Sequence, residues 1–248
     1  MKAMVLAAGL GTRLRPLTDD RPKALVEVAG KTMLEIVLER LRSFEIREVI
    51  VNAHHFGGQI AAYLKENRDF GMRIEISYEE ILLDTGGGLK KAAPFFLAGA
   101  AGLDQPFILH NVDVISAIDL RRMIQAHQAS GALATLAVQE RETSRYLLFD
   151  EQMQLRGRRS GSNANDELVA ASTRAVPLAF CGIHVISPRI FSLMTEQGAF
   201  SIIDVYLRLA AAREKVMAFR ADEYYWRDLG KPEQVEKAAR DLRRGVLQ

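Results

Sequence analysis

Glycines, a hydroxyl and basic side chains follow the first apolar run of the chain. Residues 6–18 read LAAGLGTRLRPLT, and Pro22-Lys23 comes shortly afterwards. Gly9 and Gly11 allow backbone N–H groups to approach a phosphate closely, and Arg13 can add a forked, charge-assisted contact. The ammonium of Lys23 can return to the same place as a point charge. The pattern therefore predicts a phosphate-binding loop, with a plain glycine turn beside a surface lysine as the alternative.

Two aspartates are the candidate metal ligands. Asp113 follows an apolar run at 107–110, so a buried strand should deliver its carboxylate to the same sheet edge as the glycine loop. Asp228 arrives from the far end of the chain. Mg²⁺ prefers one or two carboxylates completed by phosphate oxygens and water, so two carboxylates suffice. The alternative for each is an ordinary turn or cap residue.

Several other polar or reactive side chains are left outside the predicted site. The two histidines are adjacent, so their side chains project in different directions, and no third metal ligand lies at a useful spacing. The arginines are expected in a solvated loop and the aspartate on a helix surface. The cysteine is expected to pack in the core. These residues are His54, His55, Arg156, Arg158, Arg159, Asp204 and Cys181.

Apolar runs of strand length alternate with segments of helical period along the chain. The predicted strands lie at 3–8, 48–52, 72–78, 106–110, 132–139 and 178–186, and the predicted helices at 33–44, 59–66, 89–97, 120–129, 201–213 and 232–243. This alternation predicts a Rossmann-like, doubly wound α/β fold with a mostly parallel sheet in three layers, α/β/α. Residues 156–163 are expected to form an exposed loop or hairpin.

Composition narrows the class of protein. The 248 residues suit a single domain. The 33 basic and 31 acidic side chains nearly cancel, which argues against nucleic acid as a partner. One cysteine and a short N-terminal apolar run predict a cytoplasmic protein without a membrane span. The oligomeric state stays open.

Four segments in order resemble the motifs of the sugar-1-phosphate nucleotidylyltransferases. They are residues 6–30 (LAAGLGTRLRPLTDDRPKALVEVAG), 84–88 (DTGGG), 111–113 (NVD) and 226–232 (WRDLGKP). Over its whole length the sequence resembles short bacterial members of this family that act on hexose 1-phosphates. Examples are the N-acetylmuramate 1-phosphate uridylyltransferases and the mannose 1-phosphate guanylyltransferases. The resemblance covers nearly the whole chain. It implies a nucleotide-binding half at 1–139 and a sugar-binding and C-terminal half at 140–248.

The resemblance implies an Mg²⁺-dependent enzyme that makes an NDP-sugar and pyrophosphate from a nucleoside triphosphate, with UTP or GTP favoured, and a sugar 1-phosphate. It assigns Arg13, Lys23 and Asp113 to catalysis and Asp113 and Asp228 to the metal. The implied nucleotide-binding residues are Leu6, Ala7, Ala8, Gly9, Gly11, Thr12, Arg13, Lys23, Thr85, Gly86, Gly87 and Asn111. The implied sugar-binding residues are Asn111 and Gly182.

Two departures from the family pattern matter. Val112 stands where the family has glycine, and the Glu-Lys-Pro segment of many relatives is missing around residues 155–177. A β-branched valine resists positive φ, so we expect residues 111–113 to be extended with the Val112 side chain turned away from the nucleotide. The alternatives are a narrowed pocket with a different sugar, or a non-catalytic nucleotide-sugar sensor on the same fold.

Overall fold

The structure is a computed structural model that describes residues 1–98, 105–161, 166–170 and 174–246. The strands are β1 Lys2–Leu6, β2 Glu27–Val28, β3 Lys31–Thr32, β4 Glu48–Ala53, β5 Arg73–Tyr78, β6 Phe107–Asn111, β7 Val114–Ser116, β8 Ala134–Gln139, β9 Arg145–Phe149, β10 Leu155–Ser160, β11 Glu167–Leu168, β12 Val176–Ile186, β13 Val216–Arg220 and β14 Trp226–Asp228. The helices are α1 Met33–Ser43, α2 Gly57–Glu66, α3 Asp84–Lys91, α4 Ala93–Leu97, α5 Leu120–Ser130, α6 Ile190–Leu193, α7 Ile202–Ala211 and α8 Pro232–Arg243.

A mixed central sheet carries the strand order β11-β10-β9-β12-β6-β1-β4-β5. Its part β6-β1-β4-β5 is parallel throughout. The long strand β12 runs antiparallel to β6, β8 and β9, and β13 pairs in parallel with β8. The predicted Rossmann-like, doubly wound α/β fold is confirmed, and antiparallel strands extend its parallel core.

The sheet is covered by helices on both faces. Alternate residues of β1 show this division, because Ala3 and Val5 pack with α1, α2, α5 and α8, whereas Met4 and Leu6 pack with α3, α4, α6 and α7. Continuous apolar strands are expected when both faces of a parallel sheet are buried. The three-layer arrangement leaves the carboxyl ends of β1, β4 and β6 together at one edge.

Two predicted elements differ from the structure. The third predicted helix begins at Asp84 rather than at residue 89, because glycines of low helix propensity are stabilised there by tertiary packing. Residues 155–160 form a hairpin strand, so the loop alternative is wrong and the hairpin alternative is confirmed. Ser162 and Asn163 of that predicted segment lie outside the described residues.

The arginines of β10 are held by ion pairs. Arg156 pairs with Asp150 at 2.6 Å, and Arg158 pairs with both Glu167 and Asp204 at 2.7 Å. Alternation along an extended strand points such side chains to one face, where acidic partners neutralise them.

Along the described part of the chain, no helix is long and apolar enough to cross a bilayer.

Candidate active site

A buried asparagine holds the start of the glycine loop. Asn52, at the carboxyl end of β4, accepts hydrogen bonds on Oδ1 from the backbone N–H groups of Ala7 (2.6 Å) and Ala8 (3.3 Å). Its Nδ2 donates to Glu79 Oε1 at 2.7 Å, and the other oxygen of Glu79 accepts from Leu83 N–H at 3.0 Å. The side chains of Asn52 and Glu79 therefore join the first loop to the second glycine segment.

Gly11 is required by the shape of the loop. Its φ is +66°, and a Cβ there would lie 3.0 Å from Thr18 Cγ2 and 3.2 Å from Lys23 Cβ. The Thr18 hydroxyl donates to the Gly11 carbonyl at 2.9 Å. Only glycine adopts this backbone readily at such close quarters. The predicted Gly11 and Lys23 are thus brought together by the fold.

Lys23 reaches across the loop to the metal candidate. Its Nζ lies 2.9 Å from Asp113 Oδ2, and both side chains are largely buried, with 16% and 11% of their surfaces exposed. A Cβ on Gly9 would lie 3.6 Å from the same Nζ. The basic and acidic residues singled out from the sequence therefore meet at the carboxyl end of the parallel strands.

The segment 111–113 is not extended as predicted. Asn111 ends β6, and Val112 and Asp113 form a turn before β7. Val112 is fully buried in the core and donates its backbone N–H to the Leu6 carbonyl at 3.2 Å. The φ angle of Val112 is not positive, so this turn is compatible with a β-branched residue. The prediction of an extended backbone at residues 111–113 is therefore wrong. The Val112 side chain lies in the core and does not line the cavity.

Asp228 and Arg13 both lie next to Gly230. A Cβ built on Gly230 would lie 2.7 Å from Arg13 Nη2 and 2.7 Å from Asp228 Oδ1. Asp228 Oδ1 also accepts the Gly230 N–H at 2.6 Å. The neighbouring Leu229 N–H donates to the Asp113 carbonyl at 2.8 Å, and β14 pairs with β7. These backbone contacts bring the main chain at Asp228 next to the main chain at Asp113.

The second glycine segment is the first part of α3. A Cβ on Gly86 would lie 2.5 Å from ring carbons of Phe200, and one on Gly87 would lie 2.5 Å from the Gly198 carbonyl oxygen. The Thr85 hydroxyl accepts the Ile202 N–H at 3.0 Å. These three predicted nucleotide-binding residues thus support the loop before α7, and their contact with a nucleotide stays a prediction.

An open cavity of about 680 Å³ lies beside Asp228. Asn111, Gly182 and Asp228 line it, together with Arg141 and Trp226. Gly182 has a φ of +74° and lies against Asn111, because a Cβ there would be 2.9 Å from Asn111 Nδ2. The two predicted sugar-binding residues are therefore neighbours in the wall of one cavity.

The donor set suits a hard cation. Asp113 and Asp228 offer carboxylate oxygens at an open edge, and Mg²⁺ accepts such a pair when phosphate oxygens and water complete its shell. Within the described ranges, no cluster of three or more His, Cys, Asp or Glu side chains could hold a metal by itself. The residues therefore fit a metal shared with a phosphate ligand better than an all-protein metal site.

The histidines and the cysteine do not belong to this chemistry. Burial lowers the pKa of His110 from 6.5 to about 4, so this neighbour of Asn111 is neutral at pH 7. His54 Nδ1 lies 2.8 Å from the Glu79 carbonyl. Burial raises the pKa of the Cys181 thiol to about 12. Cys181 packs in the core, as predicted.

Four residues of the site were missed from the sequence. Asn52 and Glu79 are polar side chains at the ends of β4 and β5, where a ligand-binding edge was already expected, so their position was a usable signal. Trp226 was quoted only as part of a motif, although it lines the cavity. Arg141 lies in the irregular stretch after β8, and nothing in its sequence neighbourhood distinguishes it from a surface arginine.

Comparison with known proteins gives consistent matches. A family model described as nucleotidyl transferase matches residues 2–152. The N-acetylmuramate alpha-1-phosphate uridylyltransferase of Caulobacter vibrioides is 35% identical over 93% of this chain and 92% of its own length. The mannose-1-phosphate guanylyltransferase of Mycobacterium tuberculosis is 28% identical over 98% of this chain and 65% of its own length.

Solved structures share the fold. HddC from Yersinia pseudotuberculosis, complexed with GMP-PN, has a TM-score of 0.77 at 21% identity, covering 97% of this chain and 99% of that chain. A UDP-glucose pyrophosphorylase complexed with UDP-glucose has a TM-score of 0.78 at 18% identity, covering 98% of both chains. At these identities the likeness concerns the fold.

Proposed function

This chain belongs to the nucleotidyl transferase family, and from that premise we propose that it joins a nucleoside triphosphate to a sugar 1-phosphate. The products are an NDP-sugar and pyrophosphate. The observation that carries the proposal is the ion pair of Lys23 with Asp113 at one edge of the sheet, with Arg13 and Asp228 both next to Gly230. Such an edge, with cations and carboxylates together, suits a reaction between two phosphate groups.

The chemistry requires positioning more than proton transfer. An oxygen of the sugar 1-phosphate attacks the α-phosphorus in line, a new P–O bond forms, and the bond to the β-phosphate breaks as pyrophosphate leaves. A phosphate monoester has a second pKa near 6, so the nucleophile is already mostly dianionic at pH 7. No general base is needed, in agreement with the low pKa of His110.

Basic side chains and backbone N–H groups position the two substrates. Arg13 and Lys23 are assigned to the triphosphate, whose charge is redistributed in the transition state. The loop from Leu6 to Thr12 and the residues Thr85 to Gly87 are assigned to the nucleotide. Asn111 and Gly182 are assigned to the sugar, since both line the cavity beside Asp228.

The proposed cofactor is Mg²⁺, held by Asp113 and Asp228. When bound, the metal neutralises charge on the phosphate oxygens and fixes their orientation. Lys23 holds the Asp113 carboxylate from the other side, so Asp113 is oriented before any ligand arrives. Phosphate oxygens and water would complete the coordination of such a metal.

The sensor alternative rested on Val112, which stands in place of a glycine. Because its side chain lies in the core, it neither fills the cavity nor displaces the Asp113 carboxylate. No observation on the cavity side favours a non-catalytic role. We therefore keep the enzyme as the single proposed function, with the cytoplasm as its proposed location because the free thiol of Cys181 suits a reducing compartment.

A panel of substrates tests the proposal directly. Pyrophosphate release is measured with UTP, GTP, CTP, ATP and dTTP against several hexose 1-phosphates, with Mg²⁺ present and then removed by chelation. We expect Mg²⁺-dependent release with one or a few pairs, and UTP or GTP as the nucleotide. Binding of a nucleotide sugar without turnover of any pair would contradict the enzyme and support a sensor.

A further inference from the structure

One buried carboxylate lies between the two segments assigned to the nucleotide. Glu79 directly follows β5, and only 4% of its surface is exposed. Its backbone N–H donates to the Ala53 carbonyl at 2.7 Å, and its own carbonyl oxygen lies 2.8 Å from Nδ1 of His54. The main chain of Glu79 is therefore held by the end of β4 and the residue after it, which limits the positions that its side chain can take.

The two oxygens of this carboxylate have different partners. Oε1 accepts a hydrogen bond from Nδ2 of Asn52, and Oε2 accepts one from the backbone N–H of Leu83. Leu83 directly precedes α3, whose first residues are assigned to the nucleotide. Asn52 in turn accepts from the N–H groups of Ala7 and Ala8 in the glycine loop. Glu79 thus holds one segment directly and the other through Asn52.

The orientation of the Asn52 amide depends on Glu79. The N–H groups of Ala7 and Ala8 both need an acceptor, so the amide oxygen has to face them and its NH₂ group has to face Glu79. Asn52 is only 3% exposed, and a buried donor without an acceptor costs free energy. An ionised carboxylate accepts hydrogen bonds and donates none, so it admits only this orientation of the amide.

A glutamine could not replace Glu79 in this arrangement. Its side chain has one acceptor oxygen and one NH₂ group, whereas the donors on Asn52 and Leu83 require an acceptor each. If the glutamine NH₂ group faced Asn52 and the amide of Asn52 rotated, the NH₂ group of Asn52 would face the N–H groups of Ala7 and Ala8. Every arrangement leaves a buried donor without an acceptor, although the size of the side chain is unchanged.

Gly88 leaves the space that the Asn52–Glu79 pair needs. A Cβ at residue 88 would lie 2.7 Å from Glu79 Oε1 and 2.9 Å from Asn52 Nδ2. These are the two atoms of the hydrogen bond between Asn52 and Glu79. Neither can move aside without straining that bond, so a substitution at residue 88 perturbs the pair from the side of α3.

These contacts order both segments before a ligand arrives. A binding site that is already ordered loses less conformational entropy when its ligand binds, and its affinity is higher for that reason. The hydrogen bonds of the Glu79 side chain do not involve Asn111 or Gly182, which are assigned to the sugar. Loss of the carboxylate should therefore weaken binding of the nucleotide and leave binding of the sugar 1-phosphate unchanged.

We propose that Glu79 is a positioning residue for the nucleotide, which acts by fixing the Asn52 amide and the Leu83 backbone and so holds both nucleotide segments in their binding positions. The proposal rests on the proposed function, because it takes residues 6–12 and 85–87 to bind the nucleoside triphosphate. Glu79 itself is not assigned a contact with substrate.

Binding of a nucleotide alone tests the role of Glu79. The full chain is titrated calorimetrically with non-hydrolysable analogues of UTP and GTP in the presence of Mg²⁺. We expect Glu79→Gln to bind the preferred analogue on the order of 10-fold more weakly, because part of the cost of an unpaired buried donor is transferred to binding. Glu75→Gln is the matched control on the same strand, since Glu75 is an exposed partner of Arg73 and its loss should leave the affinity unchanged.

Steady-state kinetics separate a positioning role from a general loss of stability. In Glu79→Gln the KM for the triphosphate should rise on the order of 10-fold, while kcat and the KM for the sugar 1-phosphate stay within about 3-fold. Gly88→Ala should show the same pattern. Thr135→Val is the control for stability, because it removes a buried hydrogen bond to His127 outside the site and should leave both KM values unchanged.

Hydrogen exchange provides a readout that needs no ligand. In the unaltered chain the amide hydrogens of Ala7 and Ala8 are bonded to Asn52, so peptides that cover residues 6–12 should take up deuterium slowly there. In Glu79→Gln and in Gly88→Ala we expect uptake at these two amides to be on the order of 10-fold faster. Thr135→Val should not change it.

The outcomes distinguish this inference from the proposed function. A lower melting temperature in Glu79→Gln and Gly88→Ala with unchanged nucleotide affinity would overturn the positioning role, and so would an equal rise in both KM values. If Glu79→Gln does not fold, the affinity and exchange of Gly88→Ala decide. Weaker nucleotide binding in the variants, without turnover of any substrate pair by the unaltered chain, would support the positioning role and contradict the enzyme. Failure of the unaltered chain to bind either analogue would overturn both.

Discussion

Lys23 Nζ lies 2.9 Å from Asp113 Oδ2, across 90 residues of sequence. The lysine belongs to the loop proposed to bind phosphate, and the aspartate is the proposed metal ligand. Their contact keeps a largely buried carboxylate paired in the absence of a metal. It also ties the N-terminal loop to the end of β6, so the two halves of the proposed phosphate site are positioned against each other.

A double-mutant cycle measures this coupling. Lys23→Ala and Asp113→Ala should each lower the free energy of unfolding, and the double variant should lose about 1–3 kcal/mol less than the sum of the two. Each single variant leaves one charge unpaired at a poorly exposed position. Urea denaturation provides the values. Strict additivity would show that the two side chains do not interact in solution.

Lys23→Ala should also reduce the rate of nucleotidyl transfer. We expect a loss on the order of 10²–10³ in turnover, since a preorganised charge next to a reacting phosphate contributes about that much. Arg13→Ala should behave similarly. Pyrophosphate release at saturating substrate is the measurement. A change in melting temperature alone, with normal turnover in both variants, would make this loop structural.

Asp228→Asn should abolish most turnover without unfolding the chain. Its side chain is exposed at the edge of β14, and the amide cannot replace a carboxylate on Mg²⁺. The rate is measured over a Mg²⁺ titration, with circular dichroism to monitor the fold. Asp204→Asn, an exposed aspartate of α7, is the control and should retain activity. Near-normal turnover of Asp228→Asn at high Mg²⁺ would remove this residue from the metal site.

Asn52→Asp should destabilise the chain in a pH-dependent way. The new carboxylate would face Glu79 across a hydrogen bond of 2.7 Å, so mutual repulsion should raise the pKa of the pair. A pKa raised in the folded state means that stability is lost as the pH rises above about 4–5. We expect at least about 2 kcal/mol of destabilisation at pH 8 and less at pH 5. Asn67→Asp, at an exposed position, should show no such trend.

Gly87→Ala should cost more stability than an ordinary helix substitution would gain. Its Cβ would lie 2.5 Å from the Gly198 carbonyl oxygen, which is backbone and cannot turn aside. Overpacking of this kind costs about 1–3 kcal/mol. Gly58→Ala in α2 meets no atom within 4 Å and should be neutral or stabilising by up to about 1 kcal/mol. Similar melting temperatures for the two variants would contradict the packing of α3.

Three buried histidines should make the chain sensitive to mild acid. Burial lowers the pKa of His110 and His127 from 6.5 to about 4, and that of His184 to about 3. Since the unfolded chain binds these protons first, stability is complete above about pH 6.5 and falls between there and about pH 4. Each histidine contributes a slope of about 1.4 kcal/mol per pH unit. His184→Gln should reduce the slope of unfolding free energy by about that amount, and an unchanged slope would contradict its burial as a neutral group.

The sequence predicted those elements whose residues carry their own periodicity. Helix α8 was placed at Pro232–Arg243, as observed, because its apolar face recurs at helical spacing and proline marks its first turn. The start of α3 was missed, since three glycines disfavour a helix locally. Their presence is explained by packing against Phe200, Gly198 and Glu79. Tertiary contacts of this kind cannot be predicted from the sequence of the segment itself.

The residues of the candidate site also divide into those that the sequence predicted and those that it did not. Gly11, Lys23, Asp113 and Asp228 follow strand ends or known motifs, so their meeting could be anticipated from chain order and sheet topology. Arg141 could not, because its position depends on stacking against a tryptophan 85 residues later and on a carbonyl of β12. The turn at Val112 and Asp113 was also missed, since a valine alone does not reveal that the main chain turns between β6 and β7.

The position of β12 has a consequence for synthesis of the protein on the ribosome. Strand β6 pairs on one side with β1, which is already available, but its other neighbour is β12, which begins only at Val176. Until that strand leaves the ribosome, the apolar edge of β6 lacks its native partner, and unpaired strand edges of this kind favour aggregation. Nascent chains halted between the two strands should therefore depend more on chaperones than chains halted after Ile186.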